Sequence, residues 1–540
     1  MASTEWVGAY LKRLPMNVSF AKPITVIASA LCVVLAVSAQ TAAPVVPAPD
    51  AASVAACRTL PSRSFERVPG APAWITSATP VTPADGAPYC ELFVHVAQQV
   101  GVEMRLPLTG WNGRFWMNGG HGLGGEFAIG ETNAPLARGY AVAAGDMGHH
   151  NKRTEAGWAY NNPIGKVDFA YRATHVATLA AKAIVTSFYG RPIAHAYYGG
   201  FSTGGRQGLM EAERYPLDFE GIIAGPAPIW ASEMHATSTL WTEIANHDKA
   251  GHPILLIDKL PLLHDAVTKA CDGGDGLHDG LIVDPRTCHW DPGTLQCPND
   301  APAATCLTKA QIAVVRAFYA TPVDSAGHAL YPGGLQRGSE VTWAARLPYG
   351  TSPISHAGEM GVSFARYLAF VPDAGPDYNS LKFDFDRDPQ RMVANERMYD
   401  ATNPDLRPFR AHGGKLIMFS GWADEAMPPL ATVKFYDEIV HAMGGVTATQ
   451  KFVRLFMIPG QFHDPEGVGP IVPVAGFIPA MEAWVEGHVA PDRIVATEVH
   501  DGTVTRSRPV FPYPLVARYS GSGDPNSADS FVAMRPAPAK

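Results

Sequence analysis

Charge is scarce in this chain of 540 residues: Asp, Glu, Lys and Arg make up 17%, and 50 acids against 42 bases leave a net charge of -8. No basic stripe is present. That excludes a phosphate-backbone partner, because nucleic-acid binders collect Lys and Arg on one face. No internal repeat is present either, which excludes a solenoid or propeller. The apolar run from Ile24 to Ala39 falls short of the roughly 20 residues that a bilayer span needs. The 46% of hydrophobic residues instead supplies a globular core. A chain of this length predicts one domain carrying a large insertion, or two domains.

What is present starts with a charged segment (Lys12, Arg13, Lys22), then that apolar run, which ends in Val37-Ser38-Ala39. Small-x-small after a short apolar stretch is the form of a signal-peptidase site. Residues 1–39 therefore read as a signal peptide starting at Met1 or Met16, and 40–56 as an Ala/Pro-rich linker. Ala30-Leu31 before Cys32 makes a poor lipobox. The mature chain is expected to be secreted or periplasmic, with no stable membrane partner. Of seven cysteines, six remain after the signal, and an even number in an exported chain reads as disulfides. Proximity in sequence selects Cys57 with Cys90, Cys271 with Cys288, and Cys297 with Cys306, although other pairings are formally open. The oligomeric state is left open.

Between 57 and 225, apolar strand-like runs such as Tyr140–Ala144 and Ala194–Tyr198 alternate with helical spacing at Phe169, Val176, Leu179, Ala183 and Phe188. This alternation predicts a sheet flanked by helices. From 226 to 400 the texture turns to Pro, Gly, Asp, Trp and Cys with short helical pieces, an expected lid domain. Alternation resumes over 401–515, with strands at Lys415–Phe419 and Phe452–Ile458, and 516–540 reads as a tail.

Gly200-Phe201-Ser202-Thr203-Gly204 lies between a buried strand and the start of a helix. Gly-x-Ser-x-Gly in that context is a nucleophile elbow, in which the glycines relieve crowding at a strained turn that lifts the serine hydroxyl off the sheet. An α/β-hydrolase fold follows, with Ser202 as nucleophile. Serine needs a base, and this fold supplies an acid and then a His from later strand-end loops. Asp424, just past one predicted strand, and His463, in the loop after the next, fit that order. The N–H of Thr203 is the first expected oxyanion donor. The Gly-rich loop Asn118 to Gly125 is expected to supply the second, from Gly120.

These segments resemble the tannase and feruloyl esterase family, which also includes mono(hydroxyethyl) terephthalate hydrolases. The likeness rests on Trp111-Asn-Gly-Arg-Phe115, Gly139 to His149, Ser202-Thr-Gly-Gly-Arg-Gln-Gly208, Gly421-Trp-Ala-Asp424 and Gly460-Gln-Phe-His463. The resemblance implies an esterase for aromatic acids. It also implies a cystine beneath the triad, between the residue before the nucleophile and the residue after the His. Here those positions hold Phe201 and Asp464, so packing is expected to replace the bridge.

In the insertion, Asp272, Asp275 and Asp279 alternate with glycines, a hard-oxygen set suited to Ca²⁺ that the carbonyls of Leu277 and Leu281 complete. The resemblance implies these five ligands and a structural calcium ion. Asp146, His149 and His150 carry a rival metal-hydrolase reading, in which a strand-end turn is the ordinary alternative. Trp230, Trp241, Trp343, Tyr349, Phe364, Tyr367 and Phe370 are candidate pocket walls. Arg366 and Phe370 match a segment that borders the acyl site in the family. The expected function is hydrolysis of feruloyl, galloyl or related phenolic esters through an acyl-enzyme. A non-catalytic binding protein on this scaffold and an esterase for small non-aromatic esters are the alternatives.

Overall fold

The computed structural model describes residues 51–348 and 352–536; the expected signal peptide, most of the linker and Tyr349 lie outside them. A nine-stranded sheet runs in the order β1-β2-β3-β5-β4-β6-β7-β8-β9. Its strands are β1 (Ala73–Val81), β2 (Tyr89–Val96), β3 (Val100–Pro107), β4 (Arg114–Asn118), β5 (Ala141–Gly145), β6 (His195–Gly200), β7 (Gly221–Ala224), β8 (Lys415–Gly421) and β9 (Val453–Ile458). β1, β2, β3 and β5 pair antiparallel. From β5 through β4, β6, β7 and β8 to β9 every pair is parallel. Parallel strands are covered on both faces and so read as unbroken apolar runs. In β8, every residue from Leu416 to Gly421 is buried.

Helix α1 (Ala51–Thr59) starts inside the expected linker and carries Cys57, which is bonded to Cys90 of β2. α2 (Ala173–Tyr189) buries Val176, Ala180 and Ile184 on one face. It ends where Gly190 takes φ 65°, the left-handed cap that glycine adopts without strain. α3 (Thr203–Arg214) follows β6 directly.

Between β7 and β8, the described residues of 225–414 contribute no strand to this sheet. They fold into a helical segment over 233–245, α4 (Leu260–Cys271), α5 (Lys309–Tyr319), α6 (His356–Tyr367), α7 (Asp388–Tyr399) and shorter helices and turns. One cluster there gathers Leu263, Ile312, Phe318 and Trp343. A second packs Phe364, Phe370 and Tyr399 against Leu123, Met147 and Phe169, which seats the insertion on loops that follow the sheet. Cys271–Cys288 and Cys297–Cys306 are both formed, so all three expected pairings are present.

α8 (Leu430–Ala442) lies with α2 and α3 in the core on one sheet face. On the other, α9 (Ile478–Gly487) places Met481 and Trp484 beside Tyr140, Tyr197 and Phe456. The C-terminal segment is a correction to the sequence reading. β10 (Ile494–His500) and β11 (Thr503–Val510) form a ribbon, and the supposed tail forms a second one from β12 (Val516–Tyr519) and β13 (Phe531–Met534). Turn residues around 520–530 separate two short strands whose pairing partner no local pattern names.

Candidate active site

β6 ends at Gly200 and α3 begins at Thr203, so the chain reverses over Phe201 and Ser202. Ser202 adopts φ 58° and ψ -133°, a conformation that costs a non-glycine residue about 1–3 kcal/mol. Two bonds hold it: its N–H donates to Pro226 O at 2.7 Å, and its carbonyl accepts the Arg206 N–H at 3.2 Å. The loop after β4 approaches this turn backbone to backbone. A Cβ on Gly119 would sit 2.4 Å from Gly204 Cα, so only glycine permits the contact.

The same loop is stitched to α3 by side chains. Thr203 Oγ1 donates to Gly122 O at 2.8 Å, and Gln207 Oε1 accepts the Gly120 N–H at 2.9 Å. The second bond corrects the oxyanion assignment, because a donor already committed to a buried amide does not face a reacting oxygen. Among the described residues the next N–H, that of His121, has no acceptor. The Thr203 N–H opens α3, where no intrahelical carbonyl can take it. The His121 ring is fixed by Glu131, 2.5 Å from Nε2.

Parallel strands deliver their loops to one edge, and β8 and β9 bring the acid and the imidazole together there. Asp424 Oδ2 lies 3.0 Å from His463 Nδ1. Its Oδ1 accepts the N–H groups of Ala426 and Met427 at 2.9 and 2.7 Å, which fixes the carboxylate plane. Burial disfavours a charged His463 ring. Asp424, Glu425 and Asp464 outweigh that cost and lift its pKa to about 9. Burial and the neighbouring Asp424 raise Glu425 to about 7, and its Oε2 is buried without a partner. The Phe201 ring, one residue before the nucleophile, stands 5.8 Å from the His463 ring. No hydrogen bond among the described residues joins Ser202 Oγ to His463; such catalytic bonds commonly tighten only when substrate binds.

The Asp146 group is structural. Asp146 Oδ1 accepts the N–H groups of Gly101 and Gly148, both at 2.8 Å. His149 stacks on Trp158 at 3.6 Å and reaches Leu123 O at 2.9 Å, and burial lowers its pKa to about 4. Among the described residues, the His175, Glu211 and Asp218 ligand atoms do converge within 4.8 Å. That buried cluster escaped the sequence reading because its members lie on separate elements.

In the acidic loop, Asp272 Oδ2 accepts the Gly280 N–H at 2.8 Å while its Oδ1 is buried without a partner. Burial raises the Asp275 pKa, and Asp279 and Asp272 push it the same way. Asp279 Oδ2 meets Arg506 and Arg508 at 2.9 and 2.5 Å. An all-oxygen set with an orphaned carboxylate atom and crowded negative charge fits a hard cation. The two arginines neutralise the Asp279 edge.

The aromatic residues of the insertion mostly build its own cores. Phe370 is 1% exposed, edge-on to Tyr378 at 5.4 Å and capped by Arg391 at 4.3 Å. It does not present a face to substrate, which corrects its assignment as a pocket wall. Trp343 and Phe364 are fully buried. Arg366 is half-buried and donates through Nε to Tyr378 O at 3.1 Å.

A family model described as tannase and feruloyl esterase matches residues 90–534. The chain belongs to this family. It is 32% identical to a mono(2-hydroxyethyl) terephthalate hydrolase of Piscinibacter sakaiensis, over 90% of this chain and 92% of that one. It is also 32% identical to a probable feruloyl esterase of Arthroderma benhamiae, over 82% and 83%. The crystal structure of feruloyl esterase B from Aspergillus oryzae superposes with a TM-score of 0.80 at 25% identity, covering 89% of this chain and all of that one. Tannin acyl hydrolase from Aspergillus niger shares the fold, with a TM-score of 0.71 at 21% identity over 89% and 94%. As a family member the chain is an α/β-hydrolase and a carboxylic ester hydrolase. Phe201 and Asp464 stand at the two positions where a cystine was expected, and the Phe201 ring packs between His121, 4.8 Å away, and His463.

Proposed function

We propose that this enzyme hydrolyses esters of phenolic aromatic acids, feruloyl or galloyl in type, through an acyl-enzyme on Ser202. The observation that carries the reading is the Asp424–His463 pair beside a nucleophile turn held at a positive φ. Asp424 accepts the Nδ1 proton, which leaves Nε2 with a lone pair for the Ser202 proton. As that proton moves, Oγ bonds to the ester carbonyl carbon and the carbonyl oxygen becomes an oxyanion. The Thr203 N–H, and His121 N–H in place of Gly120, are the donors assigned to it. The imidazolium returns the proton to the alcohol as the C–O bond breaks. Water, deprotonated by the same ring, then releases the acid and regenerates Ser202.

Arg366, whose terminal nitrogens have no partner among the described residues, is assigned to a polar group of the acid half. Asp272, Asp275 and Asp279, with the carbonyls of Leu277 and Leu281, would hold calcium, which supplies charge compensation that braces the insertion. Export to the periplasm or beyond rests on the N-terminal pattern and the three disulfides.

Turnover of methyl ferulate and methyl gallate, compared with simple aryl acetates, tests the substrate class. Hydrolysis of acetates alone removes the aromatic-acid claim. Labelling by a fluorophosphonate that vanishes in Ser202→Ala tests the nucleophile, and an unlabelled wild-type chain points to a non-catalytic scaffold.

A further inference from the structure

The turn that carries Asp424 is held from its far side by a residue of the insertion. Arg346 ends the 340–346 turn and is 2% exposed. Its Nε donates to Glu425 O at 2.8 Å and its Nη2 to Ala426 O at 2.9 Å. These carbonyls belong to the two peptide groups whose N–H ends, at Ala426 and Met427, donate to Asp424 Oδ1. Each peptide plane is thus pinned at both ends, with the guanidinium on one side and the carboxylate on the other. The third arm, Nη1, reaches Thr242 Oγ1 at 3.3 Å.

We propose that Arg346 is the positioning residue of the triad acid, acting through these two peptides; this rests on Asp424 and His463 serving as the triad. A planar fork matches two successive carbonyls in a way that an ammonium does not. Hydrogen bonds in series polarise one another, so a cation at the carbonyl end makes each N–H a stronger donor to the carboxylate. Arg346 therefore aims Oδ2 at His463 and brings positive charge toward a turn that otherwise carries Asp424 and Glu425. Tyr331, Glu243 and the buried His235 are the other titratable groups facing it. The insertion consequently sets the geometry of the triad.

Arg346→Met tests the fork and the charge together. The expected result is a kcat loss of about tenfold to a hundredfold, by analogy with outer partners that orient the ligands of a metal, with KM nearly unchanged. The acid limb of the kcat/KM profile should move to higher pH, because removing a cation eases protonation of every neighbour. Arg346→Lys should restore the acid limb but not the full kcat. Thr242→Val, which removes only the third arm, should keep wild-type kcat. In the Asp424→Asn background Arg346→Met should cost nothing further, since the two act as one unit. The proposal is overturned if Arg346→Met keeps wild-type kcat and acid limb, or if its loss multiplies with that of Asp424→Asn. Should Arg346→Met not fold, Arg346→Lys carries the decision, and full kcat in that variant also overturns it. Wild-type turnover by Asp424→Asn alone would instead sink the triad assignment.

Discussion

The ring of Phe201 meets that of His463 edge to face, with centroids 5.8 Å apart and planes at 62°. The contact places an apolar wall directly beside the imidazole, at the position where the resemblance led a cystine to be expected. Aromatic contacts of this kind contribute about 0.5–1.5 kcal/mol beyond buried area, less than a covalent tie but with no redox sensitivity. Phe201→Ala is expected to lower kcat more than it raises KM, because the imidazole loses its support while the acyl pocket stays intact. Phe201→Cys with Asp464→Cys should form the missing bridge. Unchanged free-thiol titration after oxidation would count against that geometry.

The pH profile should carry the mark of the acidic surroundings of His463. With its pKa raised to about 9 by Asp424, Glu425 and Asp464, the acid limb of kcat/KM belongs in the alkaline range. Glu425→Gln removes a negative neighbour, so the limb should shift downward. For stability the sign follows from the same shift. The folded-state pKa exceeds the ordinary imidazole value, so the interaction stabilises fully below about 6.5 and is lost as pH rises through about 9. A melting temperature that rises across that interval would contradict the assignment.

Gln207 should matter although it touches no reacting atom. Its Oε1 accepts both the Gly120 N–H at 2.9 Å and the Tyr198 hydroxyl at 3.3 Å. Gln207→Leu leaves the buried Gly120 N–H unpaired, at about 1–3 kcal/mol, while the Tyr198 hydroxyl keeps its bond to Gly204 O at 2.7 Å. Thermal unfolding should show the loss, and kcat should fall as the loop that carries His121 drifts from α3. Equal stability in the variant would mean that the loop is held elsewhere.

Chelation probes the acidic loop. EGTA is expected to lower the melting temperature, since a ligand bound only to the folded state stabilises it by mass action. Turnover at low temperature should persist, which separates a bracing ion from a reacting one. Asp275→Asn should show a smaller response to EGTA than wild type. If chelation leaves the wild-type melting curve in place, the calcium assignment falls.

Much of the site can be read along the chain because parallel strands concentrate signal. The apolar runs at 195–200, 415–421 and 453–458 announce themselves, and each is followed by one chemistry-bearing residue in a loop. The pairing of Asp424 with His463 therefore follows from strand order alone. The disulfides follow from proximity, as their small loops close locally. Gly120 was misassigned because its acceptor, Gln207, lies 87 residues further on. Phe370 looks like a pocket wall by composition, and only packing shows its ring closed off by Tyr378 and Arg391.

The sequence by itself determined strands β5, β6, β8 and β9 of the sheet, the strained serine turn, the acid and imidazole that follow it, and the cysteine pairs. In each case the information is local, carried by hydrophobic period, turn chemistry or short loops. Only the tertiary structure decided which N–H groups remain free near Ser202, that residues 516–534 fold into a ribbon, and that Arg346 grips the turn of Asp424. Those outcomes depend on donors and acceptors from distant segments meeting within hydrogen-bond distance, and no local period encodes such a meeting.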